Sequence, residues 1–205
     1  LANKNFGGNS VYMLKSDRIE DDQLTFNSII NAELSENITL NGRLNYRNLH
    51  SENFAQVEDL LGGQQFLDVD FFAEESETVS GVARDLAQSD LNNPNRLVQE
   101  GDRFEYNYDI DAEVYDAFTQ LQFKYRAIDF HVGAKFGKTT YQRTGNFRNG
   151  FYTLLDEETG EIIEDNSFGP GEELDFTTYG LKAGAVYKIT GRHLIDFNAA
   201  YQQNA

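Results

Sequence analysis

Three observations predict an all-β fold for this 205-residue chain. Stretches of about ten residues or more alternate apolar and polar side chains at period two, the pattern of a strand with two unlike faces. The stretches come in pairs joined by very short turns, and the links between pairs are long, acidic and glycine-containing. Aromatic residues gather near the strand ends. A sheet that turns tightly at one edge and loops widely at the other has two different surroundings. Together these predict antiparallel up-and-down hairpins forming an arc of a transmembrane β-barrel, with about six long strands and long extracellular loops.

The strands are expected at 24–34, 38–49, 104–125, 127–143, 174–188 and 193–203, with long loops at 50–103 and 144–173. In the first, Leu24, Phe26, Ser28, Ile30, Ala32 and Leu34 oppose Thr25, Asn27, Asn31 and Glu33, with Ile29 the exception. After Ser35-Glu36-Asn37, Ile38, Leu40, Gly42, Leu44 and Tyr46 oppose Thr39, Asn41, Arg43, Asn45 and Arg47. In the third, Phe104, Tyr106, Tyr108, Ile110, Ala112 and Val114 share one parity, and then Tyr115, Ala117, Leu121, Phe123 and Tyr125 carry the apolar parity. A one-residue slip exchanges faces, so a β-bulge is expected at Val114-Tyr115.

The fourth strand places Ile128, Phe130, Val132, Ala134 and Phe136 against Asp129, His131, Gly133 and Lys135. The fifth sets Leu181, Ala183, Ala185 and Tyr187 against Lys182, Gly184, Val186 and Lys188. The sixth, reached through Ile189-Thr190-Gly191-Arg192, sets His193, Ile195, Phe197, Ala199 and Tyr201 against Asp196, Asn198 and Gln202. Phe123, Tyr125 and Tyr187 lie by the short turns, and Phe26, Tyr46, Phe136 and Tyr201 toward the loops, as two interfacial girdles would require. Both prolines, Pro94 and Pro170, fall in loops, which leaves the ladders unbroken. Within the loops, Asp85–Asp90 has mild helical character, and Asp156–Glu161 reads as the tip of a hairpin between 151–155 and 161–163.

Composition narrows the classes of function. The net charge is −17, from 17 basic and 34 acidic residues, which argues against nucleic acid as a partner. Mean hydropathy is −0.57 and no run reaches the roughly 18 apolar residues of a membrane helix. There is no cysteine, so disulfides, thiolate zinc sites and cysteine nucleophiles are excluded. Leu1–Asn5 has neither a signal-peptide pattern nor an initiator Met, so an internal piece of a longer protein is expected.

Several loop and strand stretches carry a family resemblance. They are Val57-Glu58-Asp59-Leu60-Leu61-Gly62-Gly63, Phe66-Leu67-Asp68-Val69-Asp70-Phe71-Phe72-Ala73-Glu74, Asp90-Leu91-Asn92-Asn93-Pro94-Asn95-Arg96 and Gly101-Asp102-Arg103-Phe104-Glu105-Tyr106. Gly145–Gly150, Asn166–Gly169 and Tyr179–His193 follow in the same order. As an ordered set they resemble the barrel of TonB-dependent outer-membrane receptors of the Bacteroidetes type, the group with a carboxypeptidase-regulatory-like N-terminal domain. The resemblance implies a 22-stranded barrel with an N-terminal plug, energised through TonB, that imports scarce or bulky nutrients. Residues 1–205 then form a partial barrel without plug, TonB box or closing strand. The partners implied are outer-membrane lipid, the TonB system through the missing plug, a surface lipoprotein and a nutrient ligand. No substrate and no binding residue are carried over.

Six strands cannot close a membrane barrel, and open edges in lipid leave backbone groups unpaired at several kcal/mol each. The candidate lumen-facing or solute-contacting residues are Arg43, Arg47, Asp109, Asp111, Glu113, Asp116, Asp129, His131, Lys135, Lys182 and Asp196, with Lys188 and Glu33 beside them. Such charges pair with one another, with the plug or with solute. Asp68-Val69-Asp70 and Asp109–Glu113 read either as a hydrated acidic wall or as oxygen ligands of a calcium-stabilised loop. His50, His131 and His193 have no metal-ligand spacing, Ser10, Ser80 and Ser167 lack a nucleophile elbow, and Gly7-Gly8 and Gly62-Gly63 lack a phosphate-loop context. No enzyme chemistry and no cofactor are expected, and loop 50–103 is the expected site of solute or lipoprotein contact. The rival readings are a soluble acidic β-sandwich acting in carbohydrate binding or adhesion, a calcium-dependent surface enzyme, and a passive porin. The sandwich predicts a second sheet over Leu44, Phe130 and Phe197.

Overall fold

The computed structural model describes residues 8–71, 73, 77–79 and 82–204, with backbone only at 77–79 and 82. Leu1–Asn5, Gly7, Phe72, Glu74-Glu75 and Ser80 lie outside the described residues. The chain is all-β, built of long antiparallel up-and-down strands in an unclosed sheet, as a barrel fragment requires. In chain order the strands are β1 (Asn9–Ser10), β2 (Leu14–Ser35), β3 (Ile38–Asp59), β4 (Gln65–Leu67), β5 (Glu77–Val79), β6 (Val82–Arg84), β7 (Leu97–Val98), β8 (Arg103–Lys124) and β9 (Ile128–Gly145). Then come β10 (Thr153–Asp156), β11 (Ile162–Asp165), β12 (Gly169–Pro170), β13 (Leu174–Thr190) and β14 (His193–Gln203). The large sheet runs β14-β13-β9-β8-β3-β2, with β12 added on β9.

The strands are longer than alternation alone suggests. β2 begins at Leu14 rather than Leu24, and β3 continues to Asp59 rather than ending at Leu49. The added segments, such as Ser16-Asp17-Arg18-Ile19-Glu20-Asp21-Asp22, have polar groups at both parities and so show no period-two signal. Backbone pairing, not side-chain pattern, carries them. The last hairpin is tighter than expected: β13 reaches Thr190, so only Gly191-Arg192 turns the chain, with a register shift between Lys188 and Thr190. Thr190 Oγ1 accepts from the N–H of His193 at 3.1 Å and closes the turn.

The chain divides into two compact units. The first comprises Leu1–Asp22, His50–Asp111 and Gln142–Glu172; the second comprises Gln23–Leu49, Ala112–Tyr141 and Glu173–Ala205. The first unit has a small core of Ala55, Val57, Leu60, Phe66, Val98 and Phe104, with Met13 and Tyr106 packed against it. The far end of β3 buries both its faces here. Val57 goes into the core, and Phe54 lies under the Arg103 guanidinium at 3.8 Å from the ring centroid. The unit also contains a three-stranded sheet, β1-β4-β7, which gives Phe66 and Val98 to this core, and a four-stranded sheet, β11-β10-β6-β5.

The buried carboxylate of Asp68 is paired in this unit. Arg96 donates to Asp68 Oδ2 at 2.6 Å and to the carbonyl of Arg103 at 2.7 Å, and stacks on Phe147. The other Asp68 oxygen accepts from the N–H of Glu105 at 2.9 Å. Glu105 has φ of +61°, a left-handed value rare for a side-chain-bearing residue. Asp68 thus holds β8 in a kink at its start. The segment expected to be helical, Asp85–Asp90, contains no helix: Val82–Arg84 is strand and a turn follows. Its residues leave the helical path because β10 pairs with β6 and Asp70 donates its N–H to the carbonyl of Ala87. The hairpin expected around Asp156–Glu161 is present as β10 and β11, with Asp156 Oδ1 accepting the N–H groups of Glu158 and Thr159.

The second unit is sheet throughout. β13 pairs with β9 from Leu174–Tyr141 to Tyr187–Ile128, and with β14 from Tyr179–Gln203 to Thr190–His193. No helix among the described residues is long and apolar enough to cross a membrane, which says nothing of strands.

Candidate functional site

Side-chain contacts in the second unit sort its residues onto two faces. On one, Arg43 Nη2 donates to Asp116 Oδ2 at 2.8 Å, and Lys135 Nζ lies 3.7 Å from Asp116 Oδ1. Lys182 Nζ sits 4.9 Å over the Phe118 ring, and Lys188 donates to Asp129 at 2.7 Å. Asn198 Nδ2 donates to Asp196 Oδ1 at 2.8 Å. Gly184 is required here. A Cβ at that position would stand 2.4 Å from His131 Cε1 and 2.2 Å from Asn198 Oδ1, so the missing side chain lets the two polar groups close over the strand. The Asp116 side chain is only 13% exposed, and its Oδ1 is buried without a hydrogen bond.

The opposite face is aromatic and aliphatic. Phe123 stacks on Phe130 with centroids 4.4 Å apart, Tyr46 meets Tyr115 at 5.0 Å and Tyr179 meets Tyr201 at 6.2 Å. Much of this face is uncovered. Leu24, Phe26, Leu34, Phe136, Leu181, Tyr187 and Ile195 are exposed, as are Leu44 (53%) and Phe197 (65%). No described part of the chain lies over Leu44 or Phe197, in contrast to the cover that a sandwich requires.

The eleven candidate residues do not form one surface. Arg43, Asp116, Asp129, His131, Lys135, Lys182 and Asp196 share the polar face, with Arg47 on the Arg43 parity of β3. Glu113 is on the other face: it accepts from Tyr115 Oη at 3.0 Å and from Asn48 Nδ2 at 3.3 Å. Residues 113 and 115 therefore share a face, as in an unslipped strand, and the bulge expected at Val114-Tyr115 is absent. The chemistry of one continuous face changes there from acidic to apolar, which imitates a phase slip in the sequence.

Asp111 and Asp109 belong to the first unit. Asp111 Oδ1 lies 2.7 Å from His50 Nδ1, and Asp109 accepts from Asn146 Nδ2 at 3.0 Å. The hydrogen bond to Asp111, aided by that carboxylate's charge and those of Asp109 and Glu52, raises the His50 pKa above its usual 6.5 against the opposing effect of burial. Asp68 is committed to Arg96 and the Glu105 N–H. No three His, Asp or Glu side chains converge on a metal position among the described residues.

The acidity of the chain is unevenly distributed. By the unit boundaries, the first unit holds 26 of the 34 acidic residues against eight basic ones; the second holds eight acidic and nine basic. The whole net charge thus lies on the loop-bearing unit. That unit also contains a cleft of about 840 Å³, which alternation could not disclose. Its walls include Phe66, Phe71, Phe104, Tyr106, Phe151 and Tyr152. The signal was present as exposed aromatic pairs within acidic loops, but it has no periodicity. Burial and a hydrogen bond to Asp17 push the Tyr106 hydroxyl up to about 12.

Comparison with protein-family models, curated proteins and solved structures returns no match for this chain.

Proposed function

We propose that this chain is a segment of an outer-membrane TonB-dependent active transporter that binds and imports a nutrient. In this reading the long strands of the second unit are the part that lies in lipid. The reading rests on one observation above all: an apolar face left exposed along strands whose other face is lined with charge and amide. In water, an exposed apolar patch beyond a few hundred Å² is rare on a monomer, whereas lipid stabilises it at roughly 25 cal/mol per Å². Strands that alternate in this way and turn tightly at one end are those of membrane barrels. The ordered resemblance to Bacteroidetes-type receptors supplies the transport role, the TonB partner and the outer-membrane location. The polar face then lines the lumen. No covalent chemistry is part of the reading.

Lipid-dependent quenching tests it. The chain has no cysteine, so a single introduced one reports a single position. Bimane at Leu44→Cys, Phe136→Cys and Phe197→Cys should be quenched in vesicles containing brominated phosphatidylcholine. Bimane at Asn45→Cys, Lys135→Cys and Asn198→Cys should not. Equal quenching of the two sets, or none in either, overturns the reading.

A further inference from the structure

We infer that the cleft of the first unit is a binding site for an organic cation with an apolar or aromatic body. The inference goes beyond the transport reading by naming a ligand class. It lies wholly within one unit and does not need the other to be in lipid.

The shape comes first. A cleft of about 840 Å³ falls in the range of small-molecule sites, roughly 300–1,000 Å³. Its rim carries large rings that the described residues leave exposed: Phe71 is 61% exposed, Phe151 53% and Tyr152 57%. Phe151 and Tyr152 sit edge to face at 5.0 Å, and Phe71 meets the core ring Phe66 in the same manner at 5.7 Å. These rings are anchored. Gly150, at the start of the Gly150–Tyr152 turn, is buried and donates its N–H to the carbonyl of Gln88, while Asn149 caps the turn by accepting from the N–H of Phe151. With the backbone of the turn fixed, only side-chain rotamer freedom is lost when the rings gain a partner.

Charge decides the class. Among the described residues, the charged groups lining the cleft are Asp68, Asp70, Glu105 and Lys15. Asp68 is paired with Arg96 and Glu105 with Lys15, so the preference for a cation comes from the acidic excess of the unit. Lys15 is committed: its ammonium donates to Glu105 at 2.5 Å, and that bond raises its pKa. The sequence of the unit that holds the cleft carries 26 acidic and eight basic residues. An anion meets the long-range repulsion of that excess. A cation meets attraction at long range and aromatic faces at short range, each face contributing about 0.5–2 kcal/mol. A neutral ligand gains only from the rings.

The chain contains no tryptophan, so a tryptophan in the ligand is a probe without background. Tryptophyl-arginine amide carries two positive charges. N-acetyl-tryptophyl-glutamine amide is neutral, and N-acetyl-tryptophyl-glutamate is an anion of similar size. Fluorescence anisotropy with the whole chain in detergent should show the cation bound at least about tenfold more tightly than the neutral peptide, and the anion not at all. Raising salt shortens the Debye length from about 10 Å at 0.1 M to 3 Å at 1 M and should remove most of that preference. Phe151→Ala and Tyr152→Ala, both at exposed positions, should each weaken the cation several-fold. The double change Glu157→Gln/Glu158→Gln, at the distant hairpin tip, should leave it nearly unchanged. Equal affinities for the three peptides, no binding of the cation, or indifference to both aromatic changes overturns the inference. Bimane quenching reads the other unit, so either result can fail alone.

Discussion

Tyr115 donates its hydroxyl to Glu113 Oε2 at 3.0 Å across one intervening residue of β8. Tyr46 on the neighbouring strand stacks beside the same tyrosine. This cluster marks the place where one face of β8 changes from carboxylates to Ala117, Leu121 and Phe123. Within the proposed function, that is the height at which lipid begins. A tyrosine suits such a border, with its ring in the apolar layer and its hydroxyl on a polar partner.

Asp116 is the anchor of the polar face. It accepts from Arg43 and faces Lys135, with little exposure of its own. Hydrogen bonds to charged groups contribute about 1.5–3 kcal/mol. Asp116→Ala should therefore destabilise by that order in denaturant titration, leaving two cations without their partner. Paired with Arg43→Ala, it should show a coupling energy of about 0.5–3 kcal/mol. Strict additivity would mean that the ion pair does not operate.

His50 reports the acidic face of the first unit. Its folded pKa is raised, so the stability it contributes is complete below about pH 6.5 and disappears as pH rises through the higher folded value. Proton NMR of the His50 ring should give a midpoint above 6.5. Asp111→Asn should lower it, because the bond to that carboxylate is the main cause of the rise. A midpoint unchanged by that substitution would contradict the assignment.

Arg148 ties three segments together. Its backbone N–H donates to Asp90, and its side chain donates to Asp165 at 2.7 Å and Asn92 at 2.8 Å and stacks on Phe168. Burial pushes the Asp165 carboxyl up, but the N–H groups of Ser167 and Phe168, the Ser167 hydroxyl and Arg148 together hold it below the usual carboxylate range. Its contribution is present above about pH 3.9 and is lost as pH falls through the lower folded value. Arg148→Ala should cost roughly 1.5–3 kcal/mol and speed hydrogen exchange at Ser167 and Phe168. Exchange in β13 and β14 should change much less.

Gly150 sits where a Cβ would come within 1.8 Å of the carbonyl oxygen of Asp85, a backbone atom that cannot swing aside. Gly150→Ala should cost at least about 1–3 kcal/mol, measured as a loss in Tm. Gly191, in the turn before β14, has nothing within 4 Å of its would-be Cβ and no left-handed φ. Gly191→Ala should stay within about 0.5 kcal/mol of the parent.

The hairpins of the second unit were legible because each residue pair obeys one rule. Leu44 and Asn45, or Phe136 and Lys135, lie on opposite faces of the sheet, and period two records that directly. His193–Gln203 was placed to the residue. The Asp17–Asp22 stretch of β2 was missed because solvent on both sides erases the alternation. The change at Val114-Tyr115 misled for a related reason: a face whose side chains change from acidic to apolar looks, in one dimension, like a slipped strand.

By itself the sequence determined an all-β chain, its tight turns, the two unlike faces of its long strands and an acidic excess of 17 charges. Side-chain alternation and local turn chemistry are short-range, so they survive in one dimension. Tertiary structure decided the division of candidate residues between two faces. It also decided the commitment of Asp68 to Arg96, the concentration of net charge on one unit, and the cleft rimmed by Phe71, Phe151 and Tyr152. These depend on segments dozens of residues apart meeting in space, and nothing in the local pattern of either partner specifies the other.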